Sequence, residues 1–348
     1  MVDLFCGAGA LSHGFLLEGF SIACGYDIDE VCRFPFEENN AAPFIRRDVA
    51  RIDPGEIEKE YSEHLPRILI GCAPCQPFSR YSQGRDDPKW SLLSEFARLV
   101  LAVEPDIVTM ENVPQLARFK DGAVFDYFVT TLKEAGYRVA WKVAYCPDYG
   151  VPQERSRLVL IGSKHGDPAL PAATHPPSDH LTVSQAIGEM PPLQAGQADP
   201  ADRLHRTSGM SALNLERIRA SRPGGTWRDW SPDLVAECHQ RDTGRGYSSV
   251  YGRMRWDRPS PTITTQFYGF GNGRFGHPEQ NRALSLREGA MLQTFPRRYA
   301  FVRPDEPVRF ARVGRMIGNA VPVRLARAIA RAIGMHLGEY DSCRTRAP

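Results

Sequence analysis

No stretch of the 348-residue chain stays apolar for the roughly 20 residues a bilayer span needs. Met1-Val2-Asp3-Leu4-Phe5 are expected to run straight into a strand, without the charged and then apolar pattern of a leader. The expectation is a cytoplasmic protein with no membrane partner. Charge of one sign is missing too: 43 basic and 41 acidic residues leave +2. Any attraction for a polyanion must therefore be local. Eight cysteines are too few and too scattered for a disulfide scaffold. Cys72 and Cys75 form a C-x-x-C pair, but no second such pair completes a four-ligand zinc site, and no metal is expected. Internal repeats and low-complexity tracts are absent, which sets solenoids and disordered tails aside.

What is present alternates. Val2–Phe5, Ser21–Tyr26, Phe44–Arg46, Ile68–Ile70, Ile107–Met110, Tyr137–Tyr145 and Leu158–Gly162 have strand length and apolar content. Helical spacing separates them, as in Leu92, Leu93, Phe96, Leu99 and Val100, or Val124, Phe125, Phe128, Val129 and Leu132. Such alternation predicts an α/β fold with a parallel, doubly wound sheet. A helix starting near Asp29 is expected to be interrupted or shortened by Pro35.

After Gly162 the texture changes, and residues 165–255 are rich in Pro, Gly, Arg and His with little periodicity. From Arg203 to Arg258 there are eleven arginines, six acidic residues and no lysine, interleaved with Trp227, Trp230, Tyr247, Tyr251 and Trp256. A solvated irregular insert would look like this, and so would a module that grips nucleic acid. Order returns with a short helix carrying Leu284, Leu286, Ala290 and Leu292. The last helix, Val323 to Leu337, puts Ala326, Ile329, Ala330, Ile333 and Leu337 on one face.

Residues able to do chemistry stand where strands end, the place where ligands collect in a parallel α/β sheet. Ile68–Ile70 leads into Gly71-Cys72-Ala73-Pro74-Cys75-Gln76-Pro77-Phe78-Ser79, which makes Cys75 a candidate nucleophile. Simple packing, or a redox dithiol with Cys72, would use the same residues. The turn from Phe5 to Ser12, with Gly7 and Gly9, can bring a ligand against a helix N-terminus. Ser12 stands where a dinucleotide fingerprint has its third glycine. Asp27, 20 residues after Gly7, can accept hydrogen bonds from ribose hydroxyls, and Asp48 can meet an adenine amino group. Together they point to an adenosyl ligand, with a nicotinamide dinucleotide as the competing reading. Glu111 ends the strand beside Cys75's and suits a general acid if it is buried; capping a helix is its plainer use. Strand alternation puts Arg155 and Arg157 on one face, where two guanidinium groups hold an anion or a carbonyl, or form surface ion pairs.

In this order the motifs resemble the DNA (cytosine-5) methyltransferase family. Residues 3–9 resemble its S-adenosylmethionine loop and residues 71–79 its catalytic loop. Glu111-Asn112-Val113, Gln153–Arg157 and Gly318–Pro322 resemble three further motifs, and Arg282–Pro296 a structural one. The resemblance covers roughly residues 1–162 and 259–335, and the family keeps its variable target-recognition region between. It implies a Rossmann-like S-adenosylmethionine methyltransferase sheet with a second, smaller irregular domain. Residues 1–164 would be catalytic and cofactor-binding, 165–258 would recognise the target, and 259–348 would return to the catalytic domain.

The resemblance also implies roles. Cys75 would add to C6 of a flipped-out cytosine, Glu111 would act at N3, and Arg157 with Arg155 would hold the O2 side. Ser79 to Trp90 would close over the base. S-adenosylmethionine would lie against Phe5, Gly7, Ala8, Gly9 and Leu11, with Asp27 and Ile28 at ribose and adenine and Asp48 and Val49 at the adenine edge. Pro74, Leu92, Asn319 and Val321 would complete its pocket, so the last helix should pack beside the first strand's domain. The implied partner is double-stranded DNA, met by a monomeric, minimal prokaryotic-type enzyme of restriction-modification kind. RNA is the alternative substrate, and a catalytically silent DNA-binding relative the alternative class. A silent relative has no chemical need for Cys75, Glu111 and Arg157 together.

Overall fold

The computed structural model describes residues 1–74, 91–246 and 248–344. Cys75, the segment from Ser79 to Trp90 and Tyr247 lie outside the described residues. Two compact units account for the chain. The first is Met1–Tyr149 with Ser156–Thr174 and Val321–Pro348; the second is Gly150–Arg155 with His175–Ala320.

The strands are β1 (Val2–Leu4), β2 (Cys24–Asp27), β3 (Phe44–Arg46), β4 (Ile68–Gly71), β5 (Ile107–Asn112), β6 (Arg138–Tyr145), β7 (Gln153–Glu154), β8 (Ser156–Ser163) and β9 (Ser260–Pro261). Seven of them form the sheet of the first unit, in the order β3-β2-β1-β4-β5-β8-β6. Every residue of β5 is buried, as befits a strand covered on both faces, whereas edge strand β6 alternates toward solvent. The sheet is mostly parallel, as expected, with one reversal: β8 runs antiparallel to both β5 and β6. From Cys146 to Arg155 the chain has no crossover helix of the kind a parallel partner requires, so β8 folds back beside β6.

The helices are α1 (Ala10–Leu16), α2 (Arg33–Asn40), α3 (Pro54–Glu58), α4 (Leu92–Val103), α5 (Ala123–Glu134), α6 (Val183–Ile187), α7 (Ala212–Ala220), α8 (Glu237–Gln240), α9 (Asp242–Arg245), α10 (Leu286–Leu292), α11 (Phe310–Asn319) and α12 (Val323–Arg344). Pro35 does not break its helix. A 3₁₀ turn over Glu30–Cys32 comes first, and Pro35 then falls in the first turn of α2, where its missing N–H forgoes no intrahelical bond. On α4 the spacing of Leu93, Phe96, Ala97 and Val100 produces one wholly buried face, and Phe96 packs on Phe128 of α5. The last helix packs on α1, as the C-terminal motif implied. A Cβ added to Gly14 would stand 2.3 Å from that of Ala326, so the two backbones meet as only glycine allows. Arg327 and Arg331 both reach Glu18, at 2.6 and 2.7 Å.

The second unit is larger than residues 165–258. Residues 259–320 belong to it rather than to the sheet unit, because α10 packs on α6 and the segment pairs with residues 150–155. There β7 runs parallel to β9, and Gln153 bonds Ile263, Leu292 and Gln293. The core of this unit holds Ile218, Trp227, Trp230, Phe270 and Ala283. Trp227 stacks on His239 at 4.5 Å, and Arg217 lies over both Trp230 and Tyr251.

Candidate active site

Register decides what meets at the site. Leu4 pairs with Tyr26 and Gly71, and Gly71 pairs with Met110, so β1, β2, β4 and β5 end along one edge. Because β8 is reversed, its beginning arrives at that edge, with Leu158 opposite Asn112. With β3 ending beside β2, where Arg46 pairs with Asp27, the candidate residues of the first unit converge from five parallel strand ends and one strand start.

Past β1 the backbone turns through left-handed conformations at Phe5 (φ 58°), Gly7 (φ 52°) and Gly9 (φ 86°), and Gly9 caps α1. A Cβ on Gly7 would meet nothing within 4 Å, so the loop borders open space. Ala8 and Leu11 are buried beneath it. Asp27 locks the loop to β2: its Oδ2 accepts the Gly7 N–H at 2.9 Å and its Oδ1 the Asp29 N–H at 2.8 Å. Burial pushes its carboxyl up despite those two bonds. Each oxygen retains a lone pair for a further donor. Next to it Ile28 is 62% exposed, an apolar side chain without cover. Asp48 spends Oδ1 on the N–H of Ala50, and Val49 is buried.

Sequence reasoning missed the support beneath this loop. Asp3 is fully buried and takes a 2.6 Å hydrogen bond from Ser12, the residue occupying the third-glycine position. Burial pushes its carboxyl up to about 7. A carboxyl raised above its ordinary value is protonated when folded but ionised when unfolded, so the folded state loses stability as pH climbs from about 4 to about 7. Asp3→Asn removes that titration. The melting temperature of the variant relative to wild type should rise between pH 5 and pH 7 and level off above, by at most about 1.4 kcal/mol per pH unit in stability. A difference that stays flat across that range contradicts a protonated Asp3.

At the other end of the edge, Glu111 is 3% exposed. Arg157 Nε stands 2.8 Å from its Oε1, close enough to pair charges but off the line of a hydrogen bond; among the described residues that oxygen accepts none. Its Oε2 accepts the thiol of Cys72 at 2.9 Å. Asn112 clamps the same stem, donating from Nδ2 to the carbonyl of Ala73 at 3.0 Å. Cys72 and Asn112 were not among the expected site residues; two contacts between positions 39 apart leave no local pattern to read.

Arg155 and Arg157 do not share a role. Arg155 is buried in the second unit, donating to the carbonyls of Ile263, Gly318 and Ala320 at 3.0–3.3 Å. Strand alternation failed because β7 ends at Glu154 and β8 begins at Ser156, and the two strands belong to different sheets. Pro74 and Leu92 are half-buried and Val321 is buried, all in the first unit; Asn319 is exposed at the end of α11 in the second. Among the described residues no cluster of three or more His, Cys, Asp or Glu could hold a metal, and the H-x₄-H pair His175 and His180 belongs to none.

In the second unit, Trp227 and Trp230 are buried and serve as core rather than as a surface for bases. Arg253 is buried as well, held by the carbonyls of Ile218, Ser221, His277 and Gln280. Arg219, Arg222, Arg228, Arg255 and Arg258 remain exposed on the same unit. No helix among the described residues is long and apolar enough to cross a membrane.

Residues 1–335 match the family model of C-5 cytosine-specific DNA methylases. The chain is 48% identical over 348 residues to the Type II methylase M.HgiDII of Herpetosiphon aurantiacus, covering 99% of this chain and 98% of that one. It is 33% identical to the Type II methyltransferase M1.HphI of Haemophilus parahaemolyticus, with 95% and 86% covered. Among solved structures, it matches a protein described as a DNA modification methyltransferase encoded within an E. coli prophage. The TM-score is 0.76 at 21% identity, over 97% of this chain and 99% of that one. The S. pombe Dnmt2 methyltransferase matches with TM-score 0.60 at 15% identity, over 98% of each chain. These two likenesses concern the fold.

Proposed function

The chain belongs to the C-5 cytosine-specific DNA methylase family, and from that premise we propose that it methylates C5 of a flipped-out cytosine in one fixed DNA sequence through a Cys75 adduct. The observation that carries the proposal is the buried Glu111–Arg157 pair, at the strand edge from which Gly71–Pro74 lead to Cys75. Cytosine C5 is a poor nucleophile until something adds at C6. Cys75 adds there as thiolate, and electron density moves through the ring toward C5 and N3. Glu111, in its acid form, gives N3 the proton it then holds, and Arg157 beside it fixes the O2 side. C5 then takes a methyl group, its own proton leaves to a base, N3 hands its proton back to Glu111, and Cys75 departs as thiolate, which restores the ring. Attack on the face of the base requires that it leave the stack, at a cost of a few kcal/mol that contacts to the DNA offset. The exposed arginines of the second unit are suited to those contacts, with phosphates and with guanine edges. Two relatives of this chain carry Type II names; we place the chain likewise on the modification side of a restriction system.

The open turn at Gly7, the carboxylate of Asp27 and the uncovered Ile28 fit an adenosyl group. S-adenosylmethionine, when bound, supplies the methyl group. Asp27 would orient its ribose, and Phe5, Leu11, Asp48, Val49, Pro74, Leu92 and Val321 would surround the rest. Asp27→Ala is expected to weaken binding of S-adenosylmethionine about tenfold or more, the loss of hydrogen bonds to a charged acceptor. An unchanged dissociation constant by calorimetry would remove the ribose assignment. The whole reading is tested by expressing the chain in a methylation-free host and sequencing its DNA after bisulfite treatment. Cytosines modified in a single sequence context support it; unmodified DNA beside folded, cofactor-binding protein overturns it.

A further inference from the structure

The two oxygens of Glu111 are held in unlike ways. Arg157 lies 2.8 Å from Oε1 but out of line, so it contributes charge without direction. The last torsion of a glutamate side chain is broad, and an unaligned ion pair leaves it so. Directional restraint comes from the other side, where the thiol of Cys72 donates to Oε2 at 2.9 Å. That thiol sits on a firm base. The N–H of Cys72 reaches the carbonyl of Leu4 on β1 at 3.4 Å, and the carbonyl of Ala73 takes the Asn112 amide on β5 at 3.0 Å. The stem is thus tied to both neighbouring strands just before it delivers the side chain.

We propose that Cys72 is a positioning residue for methyl transfer: its thiol pins Oε2 and with it the plane of the Glu111 carboxyl, so the acid meets the cytosine ring already oriented. The inference rests on Glu111 acting at N3. It gives the first cysteine of the C-x-x-C pair a task that is neither redox nor metal chemistry. Orientation fixed before the reaction appears in the rate of the chemical step, not in the affinity for cofactor or DNA.

The test is methyl transfer by the full-length protein to duplex DNA carrying its own modified sequence. Cys72→Ala should lower kcat about tenfold with KM for S-adenosylmethionine and DNA unchanged, the loss of one hydrogen bond that holds the carboxyl. Cys72→Ser, which keeps a donor, should return kcat to within about twofold of wild type. Cys72→Val, nearer to cysteine in bulk but without a donor, should behave as the alanine variant does. A cysteine that only fills space gives a different pattern: Ser and Ala fall together and Val stays high. That pattern, or wild-type kcat in Cys72→Ala, overturns the proposal. Glu111→Gln in the same assay separates the two readings. If it is inactive while Cys72→Ala is fully active, only the positioning role fails. If Glu111→Gln itself keeps full kcat, the role of Glu111 fails and that of Cys72 fails with it.

Discussion

Cys75→Ser is expected to abolish methyl transfer, by about 10⁴-fold or more, while S-adenosylmethionine binding stays nearly intact. Addition to C6 needs a nucleophile that is anionic near neutral pH and polarisable. An ordinary thiol, with pKa about 8.5, supplies a few per cent of thiolate even unaided, whereas a serine hydroxyl supplies practically none. The residues proposed to hold the cofactor, from the Gly7 turn after β1 to Asp27 at the end of β2, should keep their arrangement. DNA containing 5-fluorocytosine gives a sharper readout than turnover. Fluorine replaces the proton that has to leave, so the adduct stalls, and wild-type protein should remain attached to such DNA after denaturation. The serine variant should show no attachment. Steady methylation by Cys75→Ser would end the covalent mechanism.

The second large effect concerns stability. Glu288→Ala should destabilise the second unit by about 3–5 kcal/mol, the usual result of stripping a buried charge of its partner. Arg282 and Glu288 are both 0% exposed and joined by two bonds of 2.7 and 2.8 Å. Glu288 also accepts the Ser285 N–H at 2.7 Å while Ser285 accepts the Glu288 N–H, so one carboxylate both neutralises the guanidinium and closes the capping box of α10. A fall of about 10 °C or more in melting temperature is expected for a unit of this size. Replacing both partners, as Arg282→Met with Glu288→Leu, should cost less than Glu288→Ala alone; a larger loss would contradict a desolvation-dominated pair.

The same cluster responds to acid. Burial works against the charged form of Glu288, but Arg282 carries its carboxyl below the ordinary 4.5. Its stabilisation is therefore present above about pH 4.5 and lost as pH falls through the folded value. His277, 3.9 Å from that carboxyl, is pushed down to about 4 by burial, so stability already declines as pH drops from 6.5 toward 4. Both groups make wild type acid-labile, and Glu288→Ala should flatten the steepest part of that decline below pH 4.5.

Much of the sheet could be read from apolar runs, and β3 has the expected ends, Phe44 and Arg46. Strand direction could not, because an apolar run looks the same in either sense; the reversal of β8 follows from its short connection. That reversal is also what places Arg157 beside Glu111. Residue type and strand ends made Glu111, Asp27 and the Gly7 turn visible as a group. Their supports were invisible: Cys72 on Glu111, Asn112 on Ala73 and Ser12 on Asp3 bring together positions 39, 39 and 9 apart. Trp227 and Trp230 misled in the opposite way, since an aromatic residue among arginines can be base-reading surface or the core of a small unit, and here burial makes them core.

The six residues Gly150–Arg155 set the terms on which the second unit could be exchanged between such enzymes. They fold with the second unit although the chain on either side of them folds with the first. Gln153 and Arg155 reach Ile263, Leu292, Gln293, Gly318 and Ala320, so this short excursion is stitched into the second unit. A transplant cut only at His175 and Ala320 would seat a foreign unit on the host's own stitch. Exchanges that carry residues 150–155 along should yield far more working hybrids, and in natural relatives the two segments should travel by recombination as a linked pair.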